Sequence, residues 1–494
     1  MNYHKLHNIS ILWLLNKRQN SMVKGNNLLE EIKSTIVHTD KIVMGLFNSV
    51  AKCTLKNLFF DSQCWYNRKD IIRLLIIVKL LSFHSVHEFI KSDLKKLLPF
   101  KKDVIYKILN SYWINWRKHL LDQAKECYNS IELDTDNLSP HQTPCFIVDD
   151  SDLPKKGRCM ELIGKIFSHV GMKFELGYKS LNLGIWTGKS FLHLDFSLHG
   201  ELGKKKNQGL NKKQQAKRFN KSRPDKSNGK KRIDEYFKKK TTVAINMIKS
   251  AICKGFKAKY ILVDSWFFNS QLVAFAKSQN LNLISRPKFN NWNYEYNEKQ
   301  YTIGKLCQKF KYDKSKKWSK KYRMHYVEVK VIFKGTPLKI FFYKSKKRGT
   351  KWQAIITTNL KIGAIKAYEI YQNRWSIEVS YKELKQHLGL GKCQSTDFDA
   401  QIADATLCLI SYNYLSTYKT ANEYESIGGL FKQIAHQWLS PTIMQRFWNY
   451  LYKMLQQLAE YLEIELEKLL EKCLASNKIF KIWHQINLEL STET

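Results

Sequence analysis

Apolar residues recur at helical spacing through residues 68–130, most clearly in "DVIYKILNSYWINWRKHLLDQA". The pattern changes near Pro144. "CFIVDD" reads as a short buried strand ending in acid, and "KSLNLGIWTG" and "SFLHLDFSLHG" read as two more strands joined by a Thr-Gly-Lys hairpin connection. A tract from 203 to 240, rich in lysine and almost without apolar residues, reads as a mobile loop. Periodicity then returns as a helix "TVAINMIKSAICKGF", a strand "KYILVD", a helix from about Ser270 and a strand "LNLISRP". "MHYVEVKVIFKG" and "TPLKIFFYKS" predict a β-hairpin turning at Gly335-Thr336, followed by a strand in "KWQAIITTNL". No Pro or Gly interrupts 371–388, which predicts one continuous helix, and the tail from 400 to 494 reads as helical. Strands alternating with helices in this order predict an α/β chain with a mixed sheet flanked by helices.

Composition adds a partner class. The 494 residues contain 83 Lys+Arg against 43 Asp+Glu, a formal charge of +40. Such an excess favours a polyanion, above all nucleic acid. A hydrophobic content of 44% excludes a disordered chain. The ten cysteines form no C-x-x-C pair and no zinc-spaced cluster with histidine, which fits reduced thiols inside a cell. "ISILWLL" lacks a cleavage site for a signal peptide, and "IIRLLIIVKLL" is too short and too charged to span a bilayer. A soluble protein without a membrane partner is expected. Trp113 and Trp116 suit either a DNA-reading helical region or a helical core.

Three acids stand out. Asp149 and Asp264 each follow an apolar strand directly, a costly place for a carboxylate unless cations or donors meet it. Each could equally begin a turn or cap the next helix. On a helix with about 100° per residue, Arg374, Glu378 and Lys385 fall roughly 60°, 20° and 40° to one side of Tyr371, in one narrow stripe. The i, i+4 spacing of Arg374, Glu378 and Lys382 also suits ordinary charge pairing on a solvated face. If the three acids converge, their hard oxygen donors suit two Mg²⁺ ions and an in-line phosphoryl displacement.

The chain resembles the DDE transposases of the insertion-sequence-4 group. "YQNRWSIEVSYKELK" carries that group's Y-x2-R-x3-E-x6-K signature at Tyr371, Arg374, Glu378 and Lys385. "VDDS" and "LVDSWF" supply the two aspartates, and the pattern selects Asp149 over Asp150. The resemblance spans roughly residues 141 to 395. It implies an RNase H-like catalytic core with a β-rich insertion, flanked by helical N- and C-terminal regions. The expected division is 1–50, unassigned; 51–140, helical and DNA-binding; 141–288, the first part of the core with the basic loop; 289–345, the insertion; 346–395, the second part with the Glu378 helix; and 396–494, helical.

The resemblance implies an enzyme that cuts the terminal repeats of its insertion sequence and joins them to target DNA. Asp149, Asp264 and Glu378 would hold two Mg²⁺, with Mn²⁺ able to substitute. Tyr371, Arg374 and Lys385 would grip double-stranded DNA, and Lys204, Lys205, Lys212 and Lys213 of the basic tract would add phosphate contacts. Trp292 and Trp318 are candidates for holding a flipped base, with plain packing as the alternative. A homodimer on DNA is expected, and the helix around Leu455, Leu462 and Leu469 either pairs protomers or packs within its own chain. The implied location is the bacterial cytoplasm, at the nucleoid. The alternatives are an RNase H-like nuclease without strand transfer and an inactive DNA-binding remnant.

Overall fold

A computed structural model describes residues 50, 68–81, 83–91, 101–131, 138–168, 171–201, 207–311, 316–346, 351–421, 426–431, 458–466 and 468. The chain divides into two compact units, residues 49–431 and residues 1–48 with 432–494. In the second unit Leu462 is exposed, and Leu455 and Leu469 lie outside the described residues. Everything below concerns the first unit.

Its described strands are β1 (Cys145–Pro154), β2 (Gly164–Ser168), β3 (Lys173–Trp186), β4 (Phe191–His199), β5 (Tyr260–Val263), β6 (Asn282–Ser285), β7 (Asn293–Tyr296), β8 (Lys299–Thr302), β9 (Lys317–Ser319), β10 (Met324–Phe333), β11 (Thr336–Ser345) and β12 (Gln353–Thr357). The helices are α1 (Arg68–Leu80), α2 (Val86–Lys91), α3 (Lys102–Leu109), α4 (Trp116–Ser130), α5 (Lys212–Ala216), α6 (Asn228–Tyr236), α7 (Lys240–Cys253), α8 (Ser270–Ser278), α9 (Ile303–Lys311), α10 (Ala364–Gln372), α11 (Trp375–His387) and α12 (Phe398–Ala421).

The strands form one mixed sheet, in the order β2-β3-β1-β5-β6-β12-β11-β10-β7-β8, with β4 beside β3 and β9 beside β10. β5 runs parallel to β1, and β6 runs parallel to β5. β3 runs antiparallel to both β1 and β4. All four residues of β5 and all nine of β4 are buried, as strands covered on both faces require. This is the expected mixed α/β arrangement, a large sheet with flanking helices consistent with an RNase H-like core. The β-rich segment is continuous with that core, because β12 pairs antiparallel with β6 and carries β11 and β10 outward. The β10–β11 hairpin turns one residue earlier than expected. Phe333 pairs with Thr336, so Lys334 and Gly335 form the turn, both at positive φ (48° and 76°). A two-residue turn of that hand matches the twist of its strands.

The helices close the core. α12 is buried on every side from Phe398 to Ser416 and packs on α4, α1 and β4. Asn413 accepts from the His193 N–H (2.8 Å) and donates to the His193 carbonyl (2.9 Å), and Asp404 pairs with buried Lys79 (2.8 Å). Trp116, only 3% exposed, is a core residue of α4.

The lysine-rich tract departs from its expected form. Lys204 and Lys205 lie outside the described residues, but 207–240 is folded. It contains α5 and α6, and it buries Leu210, Arg223, Ser227 and Arg232. Arg223 donates to both Glu161 oxygens (2.7 and 2.6 Å) and to Asp399 (2.9 Å). Lys221 reaches Asp397 (2.7 Å), Asp399 (2.8 Å) and the Asn110 carbonyl (2.6 Å). A composition suited to solvent is held by acids and carbonyls distant in sequence. Arg223→Met removes the guanidinium from Glu161 and leaves Asp397 and Asp399 to Lys221 alone, and should cost about 3–5 kcal/mol of folding stability, measured by urea denaturation. A loss below about 1 kcal/mol would mean the cluster is not an anchor.

Candidate active site

The parallel pairing of β1 with β5 sets the site. Val148 pairs with Val263, so Asp149 and Asp264 are the next residues on neighbouring strands. Asp264 also opens a turn, since its Oδ1 accepts from the N–H groups of Trp266 (2.9 Å) and Phe267 (3.2 Å). The turn-forming and site-forming readings of this residue therefore coexist. Asp149 Oδ1 accepts from the Asp150 N–H (2.8 Å).

Alternation along β1 separates its acids. Asp149 and Ser151 meet α11 and the residue before it: Arg374 Nη1 donates to Asp149 Oδ2 (3.0 Å), and Lys385 Nζ donates to Ser151 Oγ (2.8 Å). Asp150 pairs instead with Lys240, and Asp152 with Lys179 (2.6 Å). Arg374 also donates through Nη2 to Glu378, so one guanidinium joins Asp149 to Glu378.

The continuous helix expected over 371–388 is two helices. Tyr371 lies in the last turn of α10, and Arg374 precedes α11. Between them the bonds tighten to i→i−3, from Arg374 N–H to Tyr371 (3.1 Å) and from Ser376 N–H to Asn373 (3.1 Å). Side chains compete here for backbone partners: Ser376 Oγ donates to the Asn373 carbonyl (2.8 Å), and the Asn373 amide donates to the Pro140 carbonyl (3.1 Å). Tyr371 is 7% exposed, and its hydroxyl donates to the Val263 carbonyl (3.2 Å). Tyr381 donates likewise to the Asp149 carbonyl (3.0 Å). Two tyrosines thus fasten the helices to the strands that carry the aspartates.

Burial dominates the electrostatics. It pushes Asp149 up to about 7, against the pull of Arg374 and with Asp264 and Asp150 adding repulsion. Asp264 is raised by burial and by Asp150, and the Phe267 and Trp266 N–H groups oppose this. Burial pulls Arg374 down, but Tyr371, Asp149 and Glu378 outweigh it and raise it. Burial pushes Tyr371 up to about 12.

Among the described residues no three His, Cys, Asp or Glu side chains form a cluster placed to hold a metal ion. Asp149, Asp264 and Glu378 supply donors of the right chemistry for Mg²⁺, and their repulsion calls for a cation. In this arrangement the cation is Arg374, lodged between Asp149 and Glu378. The donors fit a divalent ion in kind.

Lys212 and Lys213 are exposed on α5. Trp292 stacks on Phe333 (5.6 Å), and Trp318 lies against His325 (4.6 Å). Two further residues belong to the neighbourhood. The angular count that grouped the signature residues puts Tyr381 about 80° from Tyr371 on the same side, so that signal was available. Arg286, exposed directly after β6, lies close enough to lower the Tyr371 pKa against burial. Like Asp264, it is the first residue beyond its strand.

Known families meet this geometry in two places. Residues 238–414 match the transposase DDE domain, and residues 127–321 match the DDE superfamily endonuclease. Each match covers less than half of the chain, and the two overlap over 238–321. Together they include Asp149, Asp264 and Glu378. No curated protein matches the chain.

Arg374→Ala leaves Asp149 and Glu378 facing each other without a counter-charge. In EDTA at pH 8 it should cost about 1–3 kcal/mol, the partial exposure of Glu378 tempering a buried-pair loss. The double variant with Glu378→Gln should lose less than the sum of the two single losses in urea melts. Strict additivity would show that the bridge carries no coupling.

Proposed function

We propose that this chain, whose DDE transposase and endonuclease domain matches support a transposase, belongs to the insertion-sequence-4 group. It cleaves the ends of its own insertion sequence and joins them to target DNA. The observation that carries the reading is the adjacency of Asp149 and Asp264 at paired parallel strands, with Glu378 tied to Asp149 through Arg374.

Asp149, Asp264 and Glu378 are the residues that would hold two Mg²⁺ or Mn²⁺ ions. Such ions supply charge neutralisation at the phosphate and a nucleophile active at neutral pH. The chain's own groups position the substrate. Once a DNA phosphate arrives, Arg374 has a competing partner for its planar fork, and Lys385 can exchange Ser151 for a phosphate oxygen. Tyr371 orients this helix pair from within, since its hydroxyl is occupied by the Val263 carbonyl. The +40 charge draws the duplex in, and action on paired element ends makes a homodimer on DNA the working unit. No described helix is long and apolar enough to cross a membrane.

Glu378→Ala should keep DNA affinity within about twofold and lower cleavage of terminal-repeat DNA about 10²–10³-fold, read on gels with Mg²⁺. Undiminished cleavage would remove Glu378 from the mechanism. The endonuclease match favours one second reading, cleavage without joining. Pre-cut ends offered with target DNA decide between the two, because a nuclease yields no joined product.

Neutralising Lys204, Lys205, Lys212 and Lys213 together should weaken DNA binding. The slope of log K against log salt should flatten by about 0.9 for each phosphate that the variant no longer neutralises. An unchanged slope in a salt titration would place DNA elsewhere.

A further inference from the structure

α10 is held at one end by the β-rich segment and at the other by the elements that carry the acids. At its start, Glu328 of β10 accepts from the Ala364 N–H (3.2 Å), and Tyr343 of β11 donates to the Ala364 carbonyl (2.8 Å). Further along, the turn between β9 and β10 reaches a single side chain. Lys321 Nζ (2.6 Å) and the Tyr322 hydroxyl (2.7 Å) both donate to Glu369 Oε1. Glu369 is only 6% exposed, whereas the Lys321 side chain remains 66% exposed, so the lysine brings charge to the contact and little packing. Burial raises the Glu369 carboxyl, but the Lys321 and Tyr322 bonds outweigh it and, with nearby His141, hold it below its ordinary value. At the other end, Tyr371 donates to the Val263 carbonyl, next to Asp264, and Asn373 donates to the Pro140 carbonyl. Glu369 and Asn373 are four residues apart and share a face, while Tyr371 falls about 200° from both. A helix of nine residues spans about 14 Å and moves as a rod. A displacement at Glu369 therefore arrives at the break between α10 and α11.

We propose that Glu369 is a positioning residue: through it the β-rich segment fixes the break between α10 and α11, and a load on the turn after β9 is passed along α10 to Arg374. The inference rests on the transposase reading only for the source of that load, DNA lying against the β-rich segment. The coupling itself belongs to the fold. A buried carboxylate is costly to leave without partners, and both side-chain donors to Glu369 come from one turn. When that turn moves, α10 either follows it or loses both bonds together. Arg374 sits between Asp149 and Glu378, so a shift at the break changes which acid its guanidinium reaches.

The test is hydrogen exchange of the free chain, with no DNA present. Lys321→Met combined with Tyr322→Phe empties the contact from the far side, at an exposed lysine and one hydroxyl. Exchange of the amides of 370–378 should rise about tenfold, although the two substituted side chains bond outside that segment. Glu369→Gln keeps an oxygen for Tyr322 and should raise it about threefold. The triple variant should exchange no faster than the double one, because all three changes remove one interaction. Exchange of 191–199 in β4 serves as the control and should stay as it was. Unchanged exchange over 370–378 overturns the coupling, and so does a rise that 191–199 shares equally. On saturating terminal-repeat DNA with Mg²⁺, Glu369→Gln should slow cleavage about threefold and keep DNA affinity within about twofold. A loss of affinity with no loss of rate also overturns the inference. A chain that cuts terminal repeats without the exchange response sinks this inference alone. A chain that shows the exchange response but cuts no terminal repeat supports the coupling and sinks the transposase reading.

Discussion

Two carboxylates side by side, one within β1 and one directly after its parallel neighbour β5, repel, and burial sharpens the repulsion by removing the water that would screen it. Asp149 and Asp264 stand in that relation because Val148 pairs with Val263. The rest of the site answers this single conflict. Asp264 is met by two backbone N–H groups, and Asp149 by Arg374, which draws Glu378 into the same contact. Burial, with repulsion from Asp264 and Asp150 added, pushes Asp149 up to about 7 despite the guanidinium beside it. An arrangement that stays under-neutralised by its own side chains is suited to accepting a further cation.

The scaffold makes such a conflict tolerable by leaving the acids little room to relax. Tyr371 and Tyr381 tie α10 and α11 to the carbonyls of Val263 and Asp149, on the two strands whose register matters. Behind them α12 is buried on every side, and its first turn is locked by Asp397 and Asp399 to Lys221 and Arg223. Those contacts also explain how so basic a segment folds. Its arginine and lysine place their charge against Glu161, Asp397 and Asp399, so charge pairing substitutes there for apolar packing.

The strands bearing the aspartates were legible because burial on both faces writes a continuous apolar run, and the acid at its end breaks that run. The hairpin of β10 and β11 was legible through alternation, although its turn lies at Lys334-Gly335. What was hidden depends on partners distant in the chain. Arg223 reads as a solvated cation until Glu161 and Asp399 are brought to it. The break at Asn373 coincides with a side-chain bond to Pro140, more than two hundred residues away, beside the local bond from Ser376 Oγ. Arg374 was legible as a member of a charged stripe, but its service to two acids at once required the register of β1 against α11.

The whole-chain charge and the local charge of the site point in opposite directions. A field of +40 attracts a polyanion from a distance, yet Asp149, Asp150, Asp264 and Glu378 repel a phosphate at the last step. Three of the nearby cations are already committed, Arg374 to Asp149 and Glu378, Lys240 to Asp150, and Lys179 to Asp152, while Lys385 holds only the Ser151 hydroxyl. Approach of a phosphodiester is therefore eased where these pairs open or where positive charge is added from outside. Adding it between the acids accomplishes both, because it releases Arg374 toward the phosphate while relieving the repulsion between Asp149 and Asp264. Metal and DNA are then expected to favour each other's binding, with Arg374 as the group whose allegiance changes.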